Sequence, residues 1–158
     1  MLGFDDFIQI AMVEEGPMAN DKFDPGGLTR FGIAQSKHPG IDVATLTFAD
    51  AVGIIRREYW EKVRADELPS PLSIVVADAA FNQGQQTAIE MLQKEVGVLE
   101  DGIMGPVTLA AAAKASADLV PLYFARRCIE YSKDAVFPRY GRGWLARCFR
   151  LAARLARA

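Results

Sequence analysis

Residues 72–84 read Leu72-Ser73-Ile74-Val75-Val76-Ala77-Asp78-Ala79-Ala80-Phe81-Asn82-Gln83-Gly84. A helix drawn through Leu72 to about Phe81 carries apolar side chains on all its faces, the pattern of a helix buried all round. Leu68-Pro69-Ser70-Pro71 breaks the segment ahead of it, and Asn82-Gln83-Gly84 ends it. The rest of the chain supplies partners to cover such a helix. At 158 residues it amounts to about one domain and is long enough for one sizeable core without covalent staples.

Outward from that stretch the periodicity is mostly helical. Phe4, Phe7, Ile8, Ala11 and Met12 recur at helical spacing over residues 4–15, with Asp5 and Asp6 near the positive end of the helix dipole. Gly16-Pro17 should end that helix. Residues 16–40 are dense in glycine, proline, asparagine and aspartate and read as a long loop, with a small hairpin around Leu28–Ile33. Loops of this length in compact domains are usually functional. Thr47-Phe48-Ala49-Asp50 reads as a capping box ahead of a helix through Val52, Ile55 and Tyr59. After the central helix, a further one is expected over about 86–96. A tight turn at Asp101-Gly102-Ile103-Met104-Gly105 then presents Pro106 as the first residue of the next helix. Asp118 is expected to cap a longer helix through Ile129 and Tyr131, and a last helix takes about 143–157. The fold class is mainly α, with at most one small β-hairpin near residues 20–35.

Composition narrows the chemistry. Apolar residues make up 51% and charged residues 24%, a globular balance. No apolar run approaches the ~20 residues of a membrane span. The start, Met1-Leu2-Gly3-Phe4-Asp5-Asp6, is acidic where a secretory signal is basic, so export through a cleaved signal is not expected. Cys128 and Cys148 sit among apolar residues and read as buried thiols rather than a bridge. His38 is the single histidine. That argues against a zinc amidase or metallopeptidase, which needs at least two, and against a Cys-His peptidase. No metal or organic cofactor is implied. The net charge of −2 is unevenly spread: residues 1–120 carry net −9 and residues 121–158 net +7. The basic end suits an anionic partner such as a cell wall or lipid surface. Nucleic acid is disfavoured because no recognition motif accompanies the charge.

Glu15 closes the first helix, Asp24 follows in Phe23-Asp24-Pro25-Gly26-Gly27, and Thr29 comes five residues later. Two carboxylates and a hydroxyl on a helix end and a glycine-rich loop are what glycosidic bond cleavage requires. One acid protonates the leaving oxygen, and a second polar set holds water or stabilises the oxocarbenium-like transition state. The plain alternative is a helix-end acid and two turn residues bonded to their own backbone. Glu14 is the neighbouring rival to Glu15. One helical step of about 100° separates them, and Glu15 leans toward the apolar face.

Glu15-Gly16 followed by Asp24-Pro25-Gly26-Gly27-Leu28-Thr29-Arg30-Phe31-Gly32-Ile33 resembles the signature of the glycoside hydrolase family 108 peptidoglycan hydrolases. The likeness continues through Leu46-Thr47, Tyr59-Trp60, Leu68-Pro69, Asp78–Gly84, Leu92-Gln93 and Asp101–Leu109, and so covers nearly the whole chain. The later stretches resemble that family's predicted peptidoglycan-binding domain. The chain is also similar to phage-type lysozymes, which carry a Glu, an Asp and a Thr around a helix end and hairpin and a turn like Phe81-Asn82-Gln83-Gly84. Pro17 stands where the family has a second glycine, and Thr29 is one residue nearer Asp24 than in the lysozyme pattern.

The resemblance implies a lysozyme-like helical fold: a catalytic region over 1–70, and a helical region over 71–158 packed into one globule with it. It implies Glu15 as the catalytic acid, with Asp24 and Thr29 positioning water. The implied reaction is hydrolysis of the β-1,4 bond between N-acetylmuramic acid and N-acetylglucosamine in peptidoglycan. A lytic transglycosylase and a non-catalytic peptidoglycan-binding module are the alternatives. Asn82 is a candidate substrate contact through its amide, or else simply a helix-end residue. Tyr59 and Trp60 are candidates to line a sugar groove, with core packing as the competing role. The Arg-rich stretch 142–157 reads as an amphipathic helix: Leu145, Cys148, Leu151, Ala152 and Leu155 lie on one face, and Arg147, Arg150, Arg154 and Arg157 elsewhere. It closes the core with its arginines solvated, or it touches an anionic membrane. The expected setting is a monomeric endolysin of a phage or prophage. It would be held in the host cytoplasm until the membrane is breached, and would then act on the wall in the periplasm.

Overall fold

The computed structural model describes residues 2–14, 27–116 and 118–157. Its α-helices are α1 (Phe4–Glu14), α2 (Phe48–Ile55), α3 (Leu72–Gln83), α4 (Gln85–Val96), α5 (Pro106–Lys114), α6 (Leu119–Ser132) and α7 (Phe137–Leu155). A two-stranded antiparallel hairpin, β1 (Thr29–Arg30) and β2 (Ile33–Ala34), pairs Thr29 with Ala34 and Arg30 with Ile33. The mainly α class and the single small hairpin are as the sequence predicts.

Helix α3 is the axis of the molecule. Every residue from Leu72 to Phe81 is buried, Ser73 and Asp78 included. Helices α1, α4 and α6 pack directly on it. The apolar core forms one cluster running from Phe4 in α1 to Leu151 in α7. A single residue, Gly84, separates α3 from α4 and caps both, at φ 90° and ψ 152°. That backbone region is essentially reserved for glycine, so Gly84 is what permits so tight a corner.

Local signals explain the other ends. Thr47 and Asp50 form the expected reciprocal capping box on α2. Pro106 takes the first turn of α5, where a missing N–H costs nothing. The turn before it is held from the core by Gln93, whose Nε2 donates to Asp101 Oδ1 (2.6 Å) and the Ile103 carbonyl (3.0 Å). Its Oε1 accepts from the Gly102 N–H at 2.9 Å.

The structure changes three expectations. Helix α7 begins at Phe137, well before residue 143, because Pro138 falls in its first turn, where proline is tolerated. Gly141 lies inside the helix against the Phe137 ring, leaving no room for a Cβ. Asp118 occupies the N-cap position of α6, but its side chain makes no capping hydrogen bond. Arg147 is not solvated; it is buried.

Arg147 reaches Asp78. Its Nε and Nη2 donate to Asp78 Oδ1 at 3.1 and 2.8 Å, while Arg127 Nη2 of α6 donates to Asp78 Oδ2 at 2.8 Å. Asp78 is 1% exposed. Burial alone would raise its carboxyl, but the two guanidinium groups outweigh it and hold the group below the usual carboxylate range. The stabilisation is present above the unfolded carboxylate value of about 3.9 and is lost as pH falls through the lower folded value. Asp78→Asn leaves two buried cations facing a neutral amide and is expected to cost about 3–5 kcal/mol. Denaturant unfolding at neutral pH measures that loss. Repeating it below pH 4 should show the variant losing less stability on acidification than the wild type.

Candidate functional site

Helix α1 starts beside the start of α3, where the Leu2 N–H donates to Ser70 Oγ at 3.2 Å, and the two helices pack together. Helix α1 ends at Glu14. Glu15 and Asp24 lie outside the described residues. Thr29 is described: it opens β1, is half-buried, and its hydroxyl donates to the Gly27 carbonyl at 3.4 Å.

The hairpin that carries Thr29 is locked in place. Its turn residues, Phe31 and Gly32, both have positive φ, 52° and 74°, which matches the twist of a two-residue hairpin connection. The strain at Phe31 is offset by packing: its ring meets Phe48 edge-on at 5.8 Å, and the Arg30 guanidinium lies 5.4 Å from its centroid. Arg30 also donates to the Ala44 carbonyl. Gln35 ties the loop together. Its Nε2 donates to the Ile41 carbonyl (2.7 Å), and its Oε1 accepts from the Val43 N–H (3.1 Å).

His38 is also structural. It is 7% exposed, with ring nitrogens 3.1 Å from the Ala34 carbonyl oxygen and 2.8 Å from Glu58 Oε2. It therefore fastens the end of the hairpin to the segment after α2. Cys148 is buried and Cys128 half-buried, both as free thiols. Burial pushes the Cys148 thiol up to about 11, so it stays protonated at neutral pH and acts as packing, not as a nucleophile.

Tyr59 and Trp60 are both buried. After α2 the chain makes a wide turn over Arg56–Trp60 that sends both rings inward. Trp60 is 1% exposed, stacked on Phe7 and edge-on to Phe4, each at 5.6 Å between centroids. Its Nε1 donates to Asp66 Oδ1 at 2.9 Å. Tyr59 packs edge-on against Phe81 at 5.0 Å. The adjacent aromatics form a wedge between α1 and α3.

Asn82 sits in the last turn of α3, half-buried. Its Nδ2 donates to the Asp78 carbonyl at 2.7 Å, one turn back along the helix. Among the described residues no hydrogen bond joins Asn82 to Thr29; the structure sets them on separate elements. Asn82 opens on a pocket whose far wall comes from α6, α7 and the link between them, including Glu130, Trp144 and Asp134. Reading the sequence alone missed those residues. The available signal was that Glu130 and Asp134 are the only acids after residue 120.

Residues 8–84 match the family described as glycosyl hydrolase 108. The solved structure of Brucella abortus SagA is similar over 97% of this chain and 93% of its own length, with 32% identity and a TM-score of 0.90. The chain belongs to the glycosyl hydrolase 108 family. No curated protein matches it. The stretch matched by this glycoside hydrolase family runs from α1 to the α3–α4 corner and includes all six candidate residues: Glu15, Asp24, Thr29, Tyr59, Trp60 and Asn82. Among the described residues of this family member, no group of three or more His, Cys, Asp or Glu is arranged to hold a metal. Nor is any described helix long and apolar enough to cross a membrane.

The packing role of Trp60 has a measurable consequence. Trp60→Ala should lower stability by about 3–5 kcal/mol, as for a large aromatic removed from a core, read as a shift of the urea midpoint at unchanged slope.

Proposed function

We propose that this glycoside hydrolase is a peptidoglycan muramidase, hydrolysing the β-1,4 bond between N-acetylmuramic acid and N-acetylglucosamine. The observation that carries the reading is the family match over residues 8–84, which contains Glu15, Asp24 and Thr29 together. In this reading Glu15 is the general acid: it protonates the glycosidic oxygen as the bond to the anomeric carbon breaks. Asp24 and Thr29 hold the water that adds to that carbon. The position of Thr29 on a hairpin pinned by Arg30, Phe31 and Gln35 supports a positioning role, because a water-holding hydroxyl needs a fixed backbone. Asn82 contributes an amide to the sugar. The region 1–70 is then the catalytic part, and 71–158 the part that engages the wall.

The protein acts as a monomeric endolysin, kept in the host cytoplasm until the membrane is breached. Contact of α7 with an anionic membrane belongs to the same reading. Phe149 is 70% exposed beside exposed Arg150, and the helix and its flanks hold no acid after Asp134, as an interfacial helix would require.

The test is clearance of purified peptidoglycan by wild type and by Glu15→Gln, with folding matched by circular dichroism. The variant should be slower by about a hundredfold or more, the usual size of a lost general acid. Equal clearance would move the acid elsewhere, to Glu14 first. Mass spectrometry of the released sugars should show reducing ends; anhydro-muramyl ends would make the enzyme a transglycosylase.

A further inference from the structure

The pocket beyond Asn82 has a volume of about 290 Å³. That is near the low end of small-molecule sites, about 300–1,000 Å³, and suits one ring better than a chain. Its walls come from four helices: Asn82 and Gln83 at the end of α3, Thr87 in the first turn of α4, Glu130 at the end of α6, Asp134 in the link, and Trp144 in α7. We infer that this pocket is a saccharide subsite that takes one N-acetylated hexosamine unit of the glycan strand. The inference rests on the muramidase reading and adds to it a binding site contributed largely by residues beyond the family match at 8–84.

Three features point to a neutral, hydroxyl-rich ring. First, residues 121–158 hold nine basic side chains and only two acids, and both acids line this pocket. Carboxylates accept hydrogen bonds from sugar hydroxyls and are stronger acceptors than neutral groups. Second, Glu130 already has its cation: both its oxygens accept from Lys133 Nζ, at 2.6 and 2.8 Å. Asp134 Oδ1 accepts from the Val136 N–H at 2.9 Å. One acid is thus ion-paired and the other held by a backbone N–H, so the pocket offers oriented acceptors. Third, the polar groups are fixed before any ligand arrives. Gln83 Oε1 accepts from Arg127 Nε at 2.9 Å, and its Nε2 donates to the Arg127 carbonyl at 3.3 Å. Asn82 uses one N–H on the Asp78 carbonyl and keeps its oxygen for an acetamido N–H. Trp144 stacks on Tyr131 at 5.0 Å and on Tyr140 at 6.0 Å, giving the pocket a rigid aromatic wall. Preorganisation of this kind lowers the ordering cost of binding.

The experiment uses peptide-free GlcNAc–MurNAc glycan strands and the full chain. Binding is followed by intrinsic fluorescence, for which Trp144 is the responsive reporter because Trp60 is sealed in the core. Hydrolysis kinetics are measured for wild type, Glu130→Gln and Thr87→Leu. The first variant weakens an acceptor and the second fills the pocket from α4. The expected result is a saturable emission change in the wild type and a rise in KM of about tenfold in each folded variant, for Glu130→Gln the scale of one lost charge-assisted hydrogen bond, with kcat held within about twofold. Unchanged KM in both variants would overturn the subsite while leaving the muramidase reading standing. So would wild type that clears intact peptidoglycan but ignores peptide-free strands, since recognition would then lie in the stem peptide. Wild type that binds the strands with the emission change but releases no sugar would support the subsite and sink the muramidase reading. No binding at all overturns the subsite.

Discussion

Two guanidinium groups closing on one carboxylate inside the core fix where three helices stand. Asp78 belongs to α3, Arg127 to α6 and Arg147 to α7, and both carboxylate oxygens are used. An ion set this deep is not stabilising against an apolar replacement of equal volume, because desolvating three charges costs about as much as their attraction returns. Its effect lies in what it forbids. Sliding α6 or α7 by one residue along α3 would strand a buried charge, so the set selects one register among helices whose apolar faces alone would tolerate several. Arg127 extends the same constraint to the pocket, since its Nε and carbonyl hold Gln83 at the end of α3. The position of the candidate site is thereby tied to the centre of the core.

Much of this architecture is legible in the sequence, where one physical cause acts alone. The apolar run of α3, broken only by Ser73 and Asp78, reads as a buried helix, and Asn82-Gln83-Gly84 reads as its end. The Thr47–Asp50 box needs no tertiary context and forms as read. The errors fall where tertiary contacts decide. Pro138, Gly141 and Gly143 look like helix breakers, yet α7 runs through them: the proline sits in a first turn that does not need its N–H, and Gly141 is required for the Phe137 ring to lie against the helix. Arg147 looks like one more solvated arginine, because a sequence pattern shows only the face a charge occupies and not its partner. The lone Asp78 inside an apolar helix was the visible counterpart. A buried carboxylate requires a buried cation, and the arginines of α7 are among those that could supply it.

The candidate site divides in the same way. The hairpin position of Thr29 and the helix-end position of Asn82 are legible because turns and helix ends mark themselves in sequence. Tyr59 and Trp60 were ambiguous because an aromatic pair serves a groove or a core equally well. The wide turn at Arg56–Trp60, which sends both rings inward between α1 and α3, has no sequence signature independent of the helices it packs against. Glu130, Asp134 and Trp144 were missed because they meet Asn82 only through the α3–α6–α7 register. That register is set by the ion set at Asp78, which lies one helical turn below Asn82.

Asp78 and Asn82 are therefore two ends of one device. The Asn82 side chain bonds the Asp78 carbonyl, while the Asp78 carboxylate bonds the two arginines. One residue anchors α3 from within, and the other presents its polar end outward. A helix end has unsatisfied carbonyls that must find polar partners in any case. Amide side chains there donate to backbone carbonyls, Asn82 to that of Asp78 and Gln83 to that of Arg127, without disturbing the apolar packing below. A saccharide pocket at the end of α3 thus exploits groups the fold already needs, and it inherits rigidity from the core rather than from the loops around it.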